Sequence, residues 1–248
     1  MQDRLKPFLV LLLAELAAFR LYALSCGFYH DDWIFLEMLQ TGGGGFWGAA
    51  KVFAAKGHWL RPVQILQLPL FYLGALPFPP AGQAILAALE LCDGLLLYLL
   101  FERLGLRKGM ALCAAALALL FPNRDVVHFW LSNASQLLAH ALALGAFLIH
   151  LDYIDRRGLA RLLAGQALFL AAVLTYESAA FLFLLPACAA LFEGKGSPRR
   201  AAADYWPFAE TLALAVIWQR LGARLLLGAE NHKVMAFSLG HLDRKSVV

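Results

Sequence analysis

The chain has 248 residues, of which 61% are hydrophobic and only 15% charged, with a formal net charge of +4 and a mean hydropathy of +0.66. Soluble domains run near ~25% charged, so the polar surface here is too small to wrap a water-soluble globule. These proportions exclude a soluble enzyme, a disordered tail, a secreted disulfide scaffold and a nucleic-acid-binding domain, and predict an all-α polytopic membrane protein.

At about 20 residues per crossing, about seven spans fit the length. The first apolar run, Pro7 to Phe28, is too long for a signal-peptide core and lacks a small-residue cleavage pattern, so it is expected to stay as a helix. A long loop, residues 29–80, follows. Within it, Arg61 to Leu76 is apolar, but Pro62, Pro69 and Pro77 mark it as an interfacial or re-entrant helix. Ala81 to Phe101 then returns across the bilayer.

Basic clusters set the topology. Arg4 with Lys6, then Arg103, Arg107 and Lys108, then Arg156, Arg157 and Arg161, then Lys195, Arg199 and Arg200 punctuate the apolar runs. Short basic loops stay on the cytoplasmic side, so each apolar stretch between clusters must cross an even number of times. Leu162 to Phe192 is roughly 46 Å of helix at ~1.5 Å per residue, too long for one crossing of a ~30 Å core. It is expected to fold back at Thr175-Tyr176-Glu177-Ser178, as Gly109 to Leu151 folds back through Phe121 to Trp130. A seventh run, Trp206 to Leu227, leads outward again. The four cysteines, Cys26, Cys92, Cys113 and Cys188, lie in or beside apolar segments without metal-ligand spacing and read as packing residues.

This topology gathers Tyr29-His30-Asp31-Asp32-Trp33, His58 to Pro62, Asp125 with His128, and Glu177 on the outer side. Adjacent carboxylates at positions 31 and 32 point in different directions, so one can face a substrate while the other holds a loop, a metal or a basic residue. A carboxylate at a low-dielectric boundary suits general-base work on a hydroxyl. Outer Arg61 and His58, and Arg220 and Arg224 at the far end of the seventh run, suit a lipid-linked phosphate. The plainer alternatives are that outer loops tolerate charge, that helix-end arginines snorkel, and that Trp47, Trp59 and Trp130 form an interfacial belt. Within the spans, Glu90 and Asp93 share a helix face and are expected to pair with Arg20, while Glu15 and Glu210 are the other ionisable groups.

A membrane helix, an outer acidic pair followed by aromatics (Tyr29 to Glu37), and a basic-Pro pair before an amphipathic stretch (Arg61-Pro62-Val63) together resemble the GT-C superfamily of glycosyltransferases. That superfamily includes protein O-mannosyltransferases and lipid A aminoarabinose transferases. Phe121 to Trp130 and Leu174-Thr175-Tyr176-Glu177 are similar to its later outer loops. The resemblance covers roughly residues 7–192 and implies transfer of a sugar from a polyprenyl-phosphate donor to a glycan, lipid or protein hydroxyl outside the cytoplasm. It implies Asp31 as base, Asp32 as its acidic neighbour and Arg61, with His58, as the donor-phosphate contacts. His30, Asp125, His128 and Glu177 become acceptor or supporting contacts. A divalent cation on Asp31 and Asp32 is permitted but not required. The implied setting is a bacterial inner membrane with the N-terminus cytoplasmic.

Family members commonly carry more helices and a further C-terminal domain. Residues 243–248, Asp243 to Val248, can be back-translated to a sequencing-adapter read. The expectation is one membrane domain over residues 1–242, a non-native tail, and a natural protein that continues past Leu242. Two rival classes are a transporter or flippase of a lipid-linked sugar, for which internal repeats and broken helices would speak, and a non-catalytic membrane scaffold.

Overall fold

A computed structural model describes residues 2–20, 27–29, 31–43, 45–56, 58–121, 129–183 and 198–222. Every regular element among them is helical. In chain order these are α1 (Gln2–Glu15, continued by a π-helical turn Leu16–Arg20), α2 (Asp31–Thr41), α3 (Phe46–Ala55), α4 (Pro62–Ala75), α5 (Pro80–Arg103), α6 (Lys108–Leu119), α7 (Ala134–Arg156), α8 (Leu159–Thr175) and α9 (Pro198–Ile217, continued by Trp218–Gly222). Short 3₁₀ segments cover His58–Leu60, Leu131–Asn133 and Glu177–Phe183.

Two of these helices are long and apolar enough to cross a membrane: Pro80–Arg103, 24 residues, and Leu131–Arg156, 26 residues. The expected seven-span bundle is not reached among the described residues. Helix α6 has 12 residues and α8 has 17, about 18 Å and 25 Å long against a ~30 Å hydrocarbon core. Helix α9 starts at Pro198, so Arg199 and Arg200 lie in a helix and not in a loop. What would follow Phe183 as a sixth run lies outside the described residues.

The hairpins fall where the basic clusters put them. Helices α5 and α6 pack together across the turn at residues 104–107, where Gly105 takes φ +92°. Helices α7 and α8 pack across a two-residue turn at Arg157 and Gly158. Gly165 allows the close approach of this second pair, because a Cβ there would stand 3.4 Å from the Ala146 carbonyl oxygen. One end of the bundle therefore carries Arg103, Arg107, Lys108, Arg156, Arg157 and Arg161. There Arg103 bonds Asp155, and Arg157 donates to Asp204 at 2.6 Å, tying α9 to the α7–α8 turn.

Helix α4 lies across the opposite end. Arg61, just before it, meets Glu177 at the end of α8. Gln67 in its middle accepts a 2.6 Å bond from Ser135 at the start of α7. Its last residue, Ala75, faces Gly82 at the start of α5. A 14-residue helix whose two ends and centre touch three helix termini at one end does not cross the bundle. Pro62 at its first turn costs nothing there, since that N–H would be unpaired anyway. Beneath it, Leu36, Phe53, Leu68, Tyr72, Leu86, Leu131 and Leu137 form one core cluster. A second cluster joins α5, α7, α8 and α9 around Phe147, Phe169 and Phe208, and a third seats Leu11 of α1 against α5 and α6.

Large apolar side chains line the outer surface, among them Leu9, Val10 and Leu13 on α1, Leu117 on α6, Leu163 on α8 and Leu214 and Ile217 on α9. Contiguous exposure of this kind suits lipid, not water. Cys92 and Cys113 also face outward. This corrects their reading as packing residues: each sits on the outer face of a helix whose inner face is already filled. Cys26 and Cys188 lie outside the described residues. Glu90 and Asp93 are buried in α5, but the side chain of Arg20, their expected partner, is outside the description. Glu210 accepts a 2.7 Å bond from the indole of exposed Trp206.

Candidate functional site

The site end of the bundle carries two polar nodes. The first is built on Asp32, which is fully buried. Its Oδ2 accepts the Tyr29 backbone N–H at 2.9 Å, while the Asp32 N–H donates to the Tyr29 carbonyl at 2.6 Å. This reciprocal pair starts α2 in the manner of a capping box. Its Oδ1 accepts the Tyr72 hydroxyl at 2.6 Å and the Ser132 backbone N–H at 2.8 Å. One carboxylate thus joins the α2 start, α4 and the α7 entrance, from segments 40 and 100 residues away. Burial, then the charge and hydrogen bond of Asp32, push the Tyr72 hydroxyl far above its usual range, so it remains a donor.

Asp31 is only half-buried and shares the first turn of α2 with Asp32, where the helix dipole favours negative charge. The two carboxylates differ sharply in surroundings. Asp32 is committed to three donors that set the local backbone; Asp31 is the one placed at the surface.

The second node is Arg61 with Glu177. Arg61 Nε donates to Glu177 Oε2 at 2.6 Å and Nη2 donates to Oε1, a fork on both carboxylate oxygens. The guanidinium also lies 4.3 Å from the centre of the Tyr176 ring, a cation–π contact. The geometry follows from how the segments end. Helix α8 stops at Thr175, Tyr176 is extended at φ −153° and ψ 126°, and the 3₁₀ turn from Glu177 presents its carboxylate outward. Burial acts to raise the Glu177 pKa, but the bonds and charge of Arg61 outweigh it and hold the carboxyl below its usual value.

His58 stands beside Arg61 with Nδ1 3.3 Å from Gln64 Oε1, an arrangement in which Nδ1 carries the proton. Burial lowers its pKa, Gln64 partly offsets this and Arg61 adds to the lowering. Burial and the neighbouring guanidinium thus disfavour the charged imidazolium at His58. The segment containing Arg220 packs against the His58–Leu60 turn, and Arg220 itself is exposed.

The two nodes do not touch. Arg61 and Tyr72 lie about 11 residues apart along α4, roughly 16 Å at ~1.5 Å per residue. Phe35 of α2 bridges the interval, with ring-centre distances of 5.9 Å to His58 and 5.7 Å to Tyr72. Three separate segments thus bring Asp31, Asp32, His58, Arg61 and Glu177 to the same end, with Arg220 from a fourth beside them. His30, Asp125, His128 and Arg224 lie outside the described residues.

Among the described residues no three His, Cys, Asp or Glu side chains gather as a metal site. The Asp32 oxygens already accept three hydrogen bonds. Sequence reasoning missed Tyr72, Tyr176 and the Ser132 amide. Only Tyr72 left a signal, a phenol in an apolar run that must find an acceptor when buried. Set against known proteins, the chain matches no family model, no curated protein and no solved structure.

Proposed function

We propose that this protein is a GT-C-type membrane glycosyltransferase, moving a sugar from a polyprenyl-phosphate donor to an acceptor hydroxyl on the extracytoplasmic side. The observation that carries this reading is the sorting of charge between the two ends of the bundle. The loops at one end are basic, whereas Asp31, Asp32, Arg61 and Glu177 converge from distant segments at the other. With the basic end cytoplasmic, the site faces outward at the membrane rim, where a lipid carrier delivers its headgroup. The protein is then a multi-pass inner-membrane protein with its N-terminus inside and about seven crossings.

In this reading Asp31 takes the proton of the acceptor hydroxyl, whose oxygen attacks the anomeric carbon. The bond from that carbon to the phosphate oxygen breaks, and the lipid phosphate leaves with the electron pair. Arg61 stabilises that developing charge through its planar fork, while His58 offers a further hydrogen bond. Asp32 acts on the reaction through structure, fixing the turn that presents Asp31.

The test is Asp31→Asn in the intact protein, reconstituted with a polyprenyl-phosphate sugar. Lost transfer with a normal melting transition and normal donor binding is expected. Undiminished transfer refutes the base assignment, and impermeant labelling of a cysteine at position 33 from the cytoplasm alone refutes the orientation.

A further inference from the structure

We infer that Glu177 is the exchange partner of the lipid phosphate at Arg61: it holds the guanidinium fork when the site is empty, yields it to the donor, and takes it back as the lipid phosphate departs. The inference rests on the reading of Arg61 as the donor-phosphate contact and adds what occupies that contact between turnovers.

Three observations support it. The Glu177 carboxylate covers Arg61 Nε and Nη2 together, the same paired geometry in which a guanidinium takes two phosphate oxygens. Arg61 is mostly buried, at 28% side-chain exposure, whereas Glu177 is 54% exposed. The anion is thus the partner that can swing into water while the cation stays. Tyr176, stacked on the guanidinium, holds the fork in plane whichever anion occupies it.

The physical need for exchange comes from the membrane rim. A partly buried guanidinium stripped of its anion loses more than an exposed one, so simple release of phosphate would leave Arg61 less well compensated. The carrier enters as a phosphodiester with one negative charge and leaves as a monoester approaching two. The product would therefore outlast the donor on a bare arginine, and an internal carboxylate returning to the fork lowers that barrier to departure. The cost is weaker apparent affinity, since binding is reduced by the fraction of molecules whose fork is open.

The experiment titrates the detergent-solubilised protein with geranyl phosphate, a short isoprenyl monophosphate, followed by calorimetry. Glu177→Gln is expected to bind about tenfold more tightly or better, as for a fork closed at least ~90% of the time. Glu177→Asp, which keeps the charge on a shorter arm, should fall between, and it carries the same test if Glu177→Gln loses its melting transition. Arg61→Ala should abolish binding in either background. If Glu177→Gln binds no tighter while Arg61→Ala still abolishes binding, the exchange is overturned and the phosphate contact stands. If Arg61→Ala leaves binding intact, the phosphate contact itself is refuted. Nanodiscs of phosphatidylglycerol and free inorganic phosphate should compete poorly; equal competition by either overturns the isoprenyl carrier as the ligand.

Discussion

Asp31 and Asp32 are adjacent, yet their replacement should damage different things. Asp32→Asn keeps the shape but leaves one amide NH₂ facing either the Tyr29 N–H or the Tyr72 and Ser132 donors, all of which now meet a carboxylate oxygen. Each buried donor left without an acceptor costs about 1–3 kcal/mol, so the loss should be about 1–3 kcal/mol where the Tyr29 N–H is left and about 2–6 kcal/mol where the Tyr72 and Ser132 donors are. Against a total stability of ~5–15 kcal/mol that is a severe lesion. Tyr72→Phe removes a single bond to a charged acceptor while leaving the ring in the core, about 1.5–3 kcal/mol. Because the two share one contact, the double variant should cost less than the sum of the singles. Thermal unfolding in detergent, monitored by tryptophan fluorescence, measures all three alongside Asp31→Asn. The latter, at the more exposed of the two positions, should cost less than Asp32→Asn. A Tyr72→Phe protein of unaltered stability, or strictly additive losses, would refute the assignment of Asp32 as the buried anchor.

Other expected outcomes are narrower. His58 is held below its usual pKa by burial, so below about pH 6.5 the unfolded chain binds a proton that the folded one does not. Stability should therefore fall as pH drops from 6.5 through the folded-state value, and His58→Gln should flatten that slope in pH-dependent melting curves. Cys92 and Cys113, exposed on apolar helix faces, should resist maleimide in sealed vesicles, because the reactive thiolate does not form in hydrocarbon, and should react once the protein is unfolded; ready labelling of intact vesicles by an impermeant maleimide would place them in water. Gly48→Ala should disrupt the approach of α3 to the end of α2, because its Cβ would collide with the Gly42 carbonyl oxygen. That backbone contact has no side chain to rotate away, so a clear drop in melting temperature is expected.

Much of the architecture was legible because charge and length are one-dimensional quantities. The clusters at 103–108 and 156–161 mark the two hairpin turns, and the prolines at 62 and 69 with only 14 helical residues keep α4 from spanning. The turn at Thr175 to Ser178 was visible as the single acidic break in an apolar run. Partnership was not legible. Nothing in the pattern around Arg61 names Glu177, 116 residues away, or ties Asp32 to the amide of Ser132. A motif identifies which groups are chemically able; only the packing of helix ends decides which of them meet. The outward cysteines were misread for a related reason, since an apolar helix buried in protein and one facing lipid share the same composition.

The turns at one end carry more arginine and lysine than carboxylate, whereas Arg61 balances Glu177 at the other, so the two ends differ in net charge. In an energised membrane, negative within, each elementary charge moved across the full field is worth about 2.3 kcal/mol per 100 mV. With the basic pole inside, the resting voltage works in favour of the inserted orientation.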